Sequence, residues 1–256
     1  MPDITDQFRL DGKVAVVTGG SRGLGREIVL GFAHAGADVV ITSRKVDVCV
    51  ALAEEVRART GRRALAVGCH VGKWDDCTSL HEAVAREFDH VDVLVNNAGM
   101  SPLYGPDVRE VTEELWNKVL AVNLSGPFRL SALFGAQMHE GRGGSIINIS
   151  SGAALQATAA TLPYGAAKAG LHALTSGFAD AFGPNVRVNT IVCGRFLTDV
   201  SKAWDLDALT ADLRRFQPLQ RAAEPHEIVG TALYLASSAS SFTTGAMIRV
   251  DGGAPI

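Results

Sequence analysis

The chain has no excess of either charge, no paired-cysteine motif and no long uninterrupted apolar run, and each shortage removes a class of function. Its 256 residues carry a net charge of −3 at neutral pH, so no bulk basic field points to nucleic acid or to an anionic membrane. The four cysteines, at 49, 69, 77 and 193, form no C-x-x-C pair, and the seven histidines show no metal-ligand spacing. Reduced thiols in a cytosol and no metal centre are therefore expected. No apolar run reaches the ~20 residues that span a bilayer. The first residues, Met1-Pro2-Asp3-Ile4-Thr5-Asp6, are polar and acidic, and the last, Ala254-Pro255-Ile256, carry no peroxisomal tripeptide. The expectation is a cytoplasmic protein with neither membrane nor nucleic-acid partner. Internal repeats and low-complexity linkers are also missing.

What is present is a 47% hydrophobic chain, enough for one large core, and we read one domain over 1–256 with an N-terminal tail at 1–11. Strand patterns fall near 13–18, 38–42, 63–68, 91–96, 144–150, 186–191 and 246–250. Helical patterns lie between them, at about 24–35, 47–60, 75–88, 112–139, 163–182 and 225–237. Such alternation predicts an α/β, doubly wound parallel sheet covered by helices on both faces. The one sizeable insertion is 194–217. Its Phe196, Val200, Trp204, Leu206, Leu209, Leu213 and Phe216 have broadly helical spacing, suited either to a substrate lid or to packing on the core.

Three motifs carry chemistry. Val14-Ala15-Val16-Val17 runs into Thr18-Gly19-Gly20-Ser21-Arg22-Gly23-Leu24-Gly25 and then into a helical pattern. A glycine turn between strand and helix lets the backbone approach a pyrophosphate, whose charge sits on the free amides of the helix N-terminus. Tyr164 and Lys168 lie four apart, so on a helix they share a face, and a fixed cation favours the phenolate. Ser151, thirteen residues upstream, can hold a carbonyl or alcohol oxygen beside that phenol. At the end of another buried strand stand Asn96-Asn97-Ala98-Gly99. The two amides either tie strands together or meet a cofactor directly.

In these motifs, together with Asn123 in Val122-Asn123-Leu124 and Pro218-Leu219, Arg221, Pro225-His226-Glu227-Ile228 and Val250-Asp251-Gly252-Gly253, the chain resembles the short-chain dehydrogenases/reductases over nearly its whole length. The resemblance implies a Rossmann fold with strand order 3-2-1-4-5-6-7 and a catalytic tetrad of Asn123, Ser151, Tyr164 and Lys168. Hydride would move between a nicotinamide and a carbonyl or alcohol carbon, with Asn123 anchoring a water that links Lys168 to solvent. It further implies cofactor contacts from Gly19, Ser21, Arg22, Gly23, Leu24, Gly25, Asn97, Ala98, Gly99, Tyr164, Lys168, Gly194 and Thr198, and a homotetramer or homodimer built on the helices near 112–139 and 163–182. The small face Gly165, Ala166, Ala169, Gly170 and Ala173 suits close packing, against a partner or within the chain.

At the end of the second strand, where an acid would favour NAD(H), the chain has Ser43 followed by Arg44. With Arg22 these could converge on a 2′-phosphate, so NADP(H) is the expected cofactor and NAD(H) the alternative. Two positions depart from the family. His70-Val71 replaces the Asp-Val that contacts adenine, and Cys193-Gly194 replaces the Pro-Gly over the nicotinamide, where we read Cys193 as a small buried substitute. Met100, Leu103, Tyr104, Leu155 and Gln156, with Phe196 and Trp204 from the lid, form the expected substrate walls. Their apolar character suits an uncharged ketone, secondary alcohol or 3-oxoacyl thioester better than a sugar. Reduction of 3-oxoacyl groups on acyl carrier protein is an alternative, for which Arg129, Arg214 and Arg215 could supply docking charge. A non-catalytic dinucleotide-binding sensor is an alternative of another class.

Overall fold

A computed structural model describes residues 4–102, 107–199, 201 and 206–255. Seven strands form one sheet: β1 Val14–Thr18, β2 Asp38–Ser43, β3 Ala64–Gly68, β4 Val93–Asn96, β5 Gly144–Ser151, β6 Val186–Cys193 and β7 Met247–Val250. All pair in parallel in the order β3-β2-β1-β4-β5-β6-β7, as the family resemblance implied. Between them run α1 Gly23–His34, α2 Val46–Thr60, α3 Trp74–Glu87, α4 Glu113–Leu120, α5 Gly126–Glu140, α6 Leu162–Phe182, α7 Leu206–Phe216 and α8 Val229–Ala236.

Successive strand residues point to opposite faces, and both faces of the central strands are dry, whereas the edge strands β3 and β7 are partly exposed. Ala15, Val17, Val39, Ile41, Val95 and Ile147 pack under α1, α2 and α8. Val14, Val16, Val40, Leu94, Ile146 and Val188 pack under α3, α5 and α6. That two-sided burial explains why the strands read as near-continuous apolar runs. The N-terminal segment is tied down as well: Leu10 is buried and its amide donates to Ala35 O at 2.8 Å.

Where the sequence reads one helix over 112–139, the structure has α4, a π-helical turn Ala121–Ser125, and α5 in unbroken succession. Thr112 caps its start by accepting from Leu115 N at 3.1 Å. The 28-residue stretch Glu113–Glu140 is long and apolar enough to cross a membrane by length and composition, yet half of its 18-residue apolar window is buried inside the fold, where it covers the sheet. The π turn inserts one extra residue and re-aims the side chains that follow, a distortion often found at functional sites. Asn123 sits inside it.

Candidate active site

The carboxyl ends of β1, β4, β5 and β6 converge, and the motifs converge with them. Gly19 and Gly23 have φ of +62° and +53°, left-handed values that a side chain resists. At Gly25 a Cβ would lie 2.3 Å from Gly19 O and 2.5 Å from Asn97 Nδ2, so that glycine closes the turn on itself. Asn97 donates to Thr18 O at 2.8 Å and Gly19 O at 3.1 Å, which selects the strand-tying reading of this amide. Asn96 donates to Ser131 Oγ and Asn148 Oδ1, each at 2.9 Å. Thr18 completes the joint: its hydroxyl donates to Val95 O and accepts from the amides of Asn97 and Ala98. Sequence reasoning gave Thr18 no such role, because nothing local marks a threonine that bridges two strand ends.

The turn fits a dinucleotide pyrophosphate on its own geometry. α1 begins at Gly23 after Arg22, whose side chain makes no capping bond, so the first amides of a twelve-residue helix have no side-chain cap. A Cβ on Gly23 would stand 3.5 Å from Thr198 Cγ2, which brings Thr198 against the same turn. Arg22 lies 3.6 Å from Asp199 in an exposed ion pair. Ser21 is half-buried, and Leu24 packs on the core. Gly194 is set against Asp251, whose Cα would be 2.5 Å from a Cβ there; backbone packing explains that glycine by itself.

At the end of β2, Arg44 and Lys45 are exposed, and among the described residues Arg44 has no carboxylate partner. Ser43 is turned onto its own loop, donating to Lys45 O at 3.1 Å and accepting from Lys45 N at 3.3 Å. Lys45 is a cation the sequence reading passed over, although its adjacency to Arg44 was visible. On the adenine side, His70 Nδ1 accepts from Gly72 N, and Asp76 of α3 accepts from His70 N at 3.0 Å. An acid therefore does stand beside the His70-Val71 segment, supplied from the next helix. Val71 is buried in the core.

The catalytic candidates come from three elements. Ser151 ends β5, and its register partner on β6 is Cys193. Tyr164 and Lys168 lie in the first third of α6, with Lys168 Nζ 5.7 Å from the phenol ring centroid. Lys168 is 3% exposed and donates to Ile149 O at 2.7 Å. Asn123 is fully buried; its Nδ2 donates to Met100 O and Val119 O, and its Oδ1 accepts from Met100 N. Both Nδ2 protons are thus used, one on Met100 and one on Val119, and Oδ1 accepts one bond from Met100 N. Gly99 lies between the two groups: a Cβ there would be 3.1 Å from Asn123 Oδ1 and 3.7 Å from Lys168 Nζ.

Burial dominates the electrostatics of this corner. It pushes the Tyr164 phenol up to about 12, opposed by a hydrogen bond from Ser151 and reinforced by the Cys193 thiol. It lowers Lys168 to about 8 and raises Cys193 to about 12. The sequence expectation that Lys168 pulls the phenol towards neutrality is thus outweighed by desolvation within the chain's own groups. Cys193 is buried and keeps its proton, in line with a small packing residue.

The substrate candidates divide. Met100 is partly buried beside Asn123, and Leu155 and Gln156 are exposed in the turn after β5. Phe196, placed on the substrate wall by sequence, is 4% exposed in the core and bridges to Ala223; its ring is drawn in by packing. Leu103, Tyr104, Val200 and Trp204 lie outside the described residues. A cavity of about 320 Å³ opens beside the start of α6, lined by Val108, Val111, Thr112, Glu113, Trp116, Leu162 and Pro163. It adjoins Tyr164 in sequence but does not reach Ser151.

With this geometry in place, comparison with known proteins decides the family. A family sequence model described as enoyl-(acyl carrier protein) reductase matches residues 19–255. The chain belongs to the short-chain dehydrogenase/reductase family. D-threitol dehydrogenase of Mycolicibacterium smegmatis is 37% identical over 248 residues, covering 96% of this chain and 94% of its own. The crystal structure of the NADPH-dependent 3-quinuclidinone reductase of Rhodotorula rubra superposes with a TM-score of 0.92 at 29% identity, covering 99% of this chain and 95% of that one. A 7α-hydroxysteroid dehydrogenase complexed with NADH and 7-oxo glycochenodeoxycholic acid gives a TM-score of 0.92 at 31% identity, covering 98% and 97%. This short-chain dehydrogenase/reductase is an oxidoreductase with a Rossmann-type sheet.

Proposed function

We propose that this family member is an NADP(H)-dependent reductase of a largely apolar, uncharged ketone or 3-oxoacyl thioester, with the secondary alcohol as the product. The observation that carries the cofactor choice is the end of β2, where exposed Arg44 and Lys45 stand in place of an acid. A 2′-phosphate there would meet two cations, with Arg22 across the turn. A carboxylate, which would repel that phosphate, is missing from Ser43-Arg44-Lys45. Relatives differ, the quinuclidinone reductase being NADPH-dependent and the steroid dehydrogenase complexed with NADH, so the assignment rests on this chain's own residues.

When bound, the nicotinamide supplies the hydride. The chain's residues do the rest. Ser151 and Tyr164 hydrogen-bond the carbonyl oxygen, and Tyr164 delivers the proton to it. A phenol that burial keeps protonated is the acid that reduction requires, which favours this direction. Lys168, held at Ile149 O, keeps its charge next to the phenol and takes part of the negative charge left on it after proton transfer. Asn123 fixes Met100 and so shapes the substrate side of Gly99.

For the substrate, Met100 and Leu155 are apolar, and Leu162 is 44% exposed by the neighbouring cavity. One relative acts on D-threitol, so a polyol is the reading to beat. The carrier-protein alternative draws less support from Arg129, which keeps its charge but is stacked 5.0 Å over Trp74 and donates to Thr78. On α6, Gly165 and Gly170 are explained by packing within the chain, against Ala153 O and Leu124. Ala166, Ala169 and Ala173 remain exposed on one face of the helix, and this face is the proposed contact with a second copy.

The test is a matrix of NADPH and NADH against aryl alkyl ketones, 3-oxoacyl coenzyme A esters and polyols. The expected result is NADPH-dependent ketone reduction with the highest kcat/KM. A preference for NADH, or for polyol oxidation, overturns the finer assignment, and an absence of all turnover with retained NADPH binding would support the sensor.

A further inference from the structure

Ser150 immediately precedes Ser151 and faces the other way along β5. Its hydroxyl lies 2.7 Å from His172 Nε2. Ser150 is 2% exposed and His172 is half-buried on α6, one turn beyond Lys168. Ile149, on the other side of Ser150, provides the carbonyl that holds Lys168 Nζ at 2.7 Å. Three consecutive residues at the end of β5 therefore serve Lys168, His172 and the substrate oxygen in turn.

We propose that His172 is a positioning residue for the reaction. Neutral, with its proton on Nδ1, it accepts the Ser150 hydroxyl and pins the strand end that presents both Ser151 and the Ile149 carbonyl. Protonated, it can no longer accept that proton, and it sets a second positive charge one helical turn from Lys168. The imidazole's surroundings match this role. On α6 the charged group acting on it is Lys168, and β5 offers the neutral Ser150, whose register partner on β6 is the apolar Val192. Beyond that, on β7, Arg249 is paired with Asp251 at 2.7 Å, while Cys193 lies on the opposite face with Ser151. Burial first, and then Lys168, hold the His172 pKa below its ordinary value, so the ring stays neutral through the physiological range. By reciprocity, an imidazolium there would disfavour the Lys168 charge.

The inference rests on the Tyr164–Lys168 chemistry proposed above, and the test separates the two. The pH dependence of kcat for the best ketone would be measured in wild type, His172→Gln, His172→Leu and Ser150→Ala, with thermal unfolding recorded for each. A general acid alone gives a reduction rate that stays flat towards acid pH. Wild type is expected to bend downward on the acid side of ~6.5, the ordinary imidazole range. His172→Gln, which can accept from Ser150 but cannot titrate, is expected to stay flat and to keep wild-type kcat at pH 7.5. His172→Leu and Ser150→Ala are expected to lose kcat by ~3- to 10-fold, the worth of one hydrogen bond, with the KM for NADPH unchanged. If His172→Leu folds poorly, Ser150→Ala and the Gln profile still decide. An acid limb that persists in His172→Gln, or Ser150→Ala at full kcat, overturns the proposal. Tyr164→Phe is the control: an active variant removes both readings, whereas an inactive one with wild-type profiles in the His172 variants removes only this one.

Discussion

The catalytic corner and the phosphate end of β2 both depend on fixed cations, but they hold them in opposite ways. Lys168 is 3% exposed, bonded to a strand carbonyl and depressed to about 8. Arg44 and Lys45 stand in solvent, and among the described residues Arg44 has no carboxylate partner. A buried cation acts on its neighbours through low dielectric and cannot move away; its cost is desolvation, shown in its own pKa. An exposed cation costs nothing to keep charged, yet salt screens it and water competes with it. Chemistry at one end should therefore be sensitive to geometry, and selectivity at the other to ionic strength.

The largest expected effect tests the buried end. Tyr164→Phe should keep the fold and NADPH binding and cut turnover by at least ~10²-fold, the usual contribution of a positioned acid. Steady-state kinetics with a cofactor titration measures both, and activity within a few-fold of wild type would end the mechanism.

The exposed end comes next. A charge-assisted hydrogen bond is worth about 1.5–3 kcal/mol, or roughly 10- to 100-fold in the NADPH/NADH ratio of kcat/KM. Exposure of Arg44 puts the expectation at the low end of that range. Arg44→Ala should remove most of the preference, and the wild-type ratio should shrink as salt is raised while kcat at saturating NADPH stays level. A ratio unchanged by the substitution means that Arg44 does not read the phosphate.

How far each end was legible follows from the same contrast. Near-continuous apolar runs made the seven strands legible, because both faces of the central sheet are buried, and helical spacing between them marked most of the covering helices. The glycine turn and the Tyr164/Lys168 spacing were legible because each is local in sequence. What stayed hidden was long-range. The π turn around Asn123 keeps helical periodicity on either side and so reads as one helix. Thr18 bridging to Asn97 and Ala98, and Ser150 meeting His172, join residues far apart in the chain. Phe196 was read as a wall residue because apolar spacing in 194–217 cannot tell a lid from a packed segment; the structure puts its ring in the core. The stacking of Arg129 on Trp74, far away in the chain, is likewise a long-range contact that no local pattern marks.

That stacked arginine gives a smaller expectation. Presented with one 3-oxoacyl chain on coenzyme A and on acyl carrier protein, the protein should show the higher kcat/KM with coenzyme A by a few-fold. Arg214 and Arg215 are exposed on α7 and could still attract an acidic carrier, with Arg215 lying 4.9 Å over the Phe216 ring. A carrier advantage that weakens with added salt would therefore reverse the ranking and favour fatty-acid synthesis.

The smallest effect asks what burying Lys168 costs. Its pKa falls from an ordinary 10.5 to about 8 in the folded chain, so between these values the unfolded chain binds more protons than the folded one. Stability must then rise with pH from about 8 towards 10.5, the desolvation cost being fully present below 8 and relieved as the amine loses its proton. Cys193 works the other way: its pKa rises from 9.0 to about 12, and stability falls as pH climbs above 9. Tyr164, raised from 10.0 to about 12, adds to that fall above 10. Between pH 8 and 9 these two opposing groups are still protonated, and Cys77, whose thiol is held below its ordinary value by its hydrogen bond with Cys69, titrates alike in wild type and variant. Lys168→Met, similar in length and uncharged, should unfold at a higher temperature than wild type at pH 7, and the gap should narrow by pH 9. For a chain of this size about 1 kcal/mol moves Tm by about 2–4 °C, within reach of calorimetry. A gap that stays constant from pH 7 to 9 would mean that Lys168 is not desolvated in the fold, and the contrast between the buried and exposed cations would fail with it.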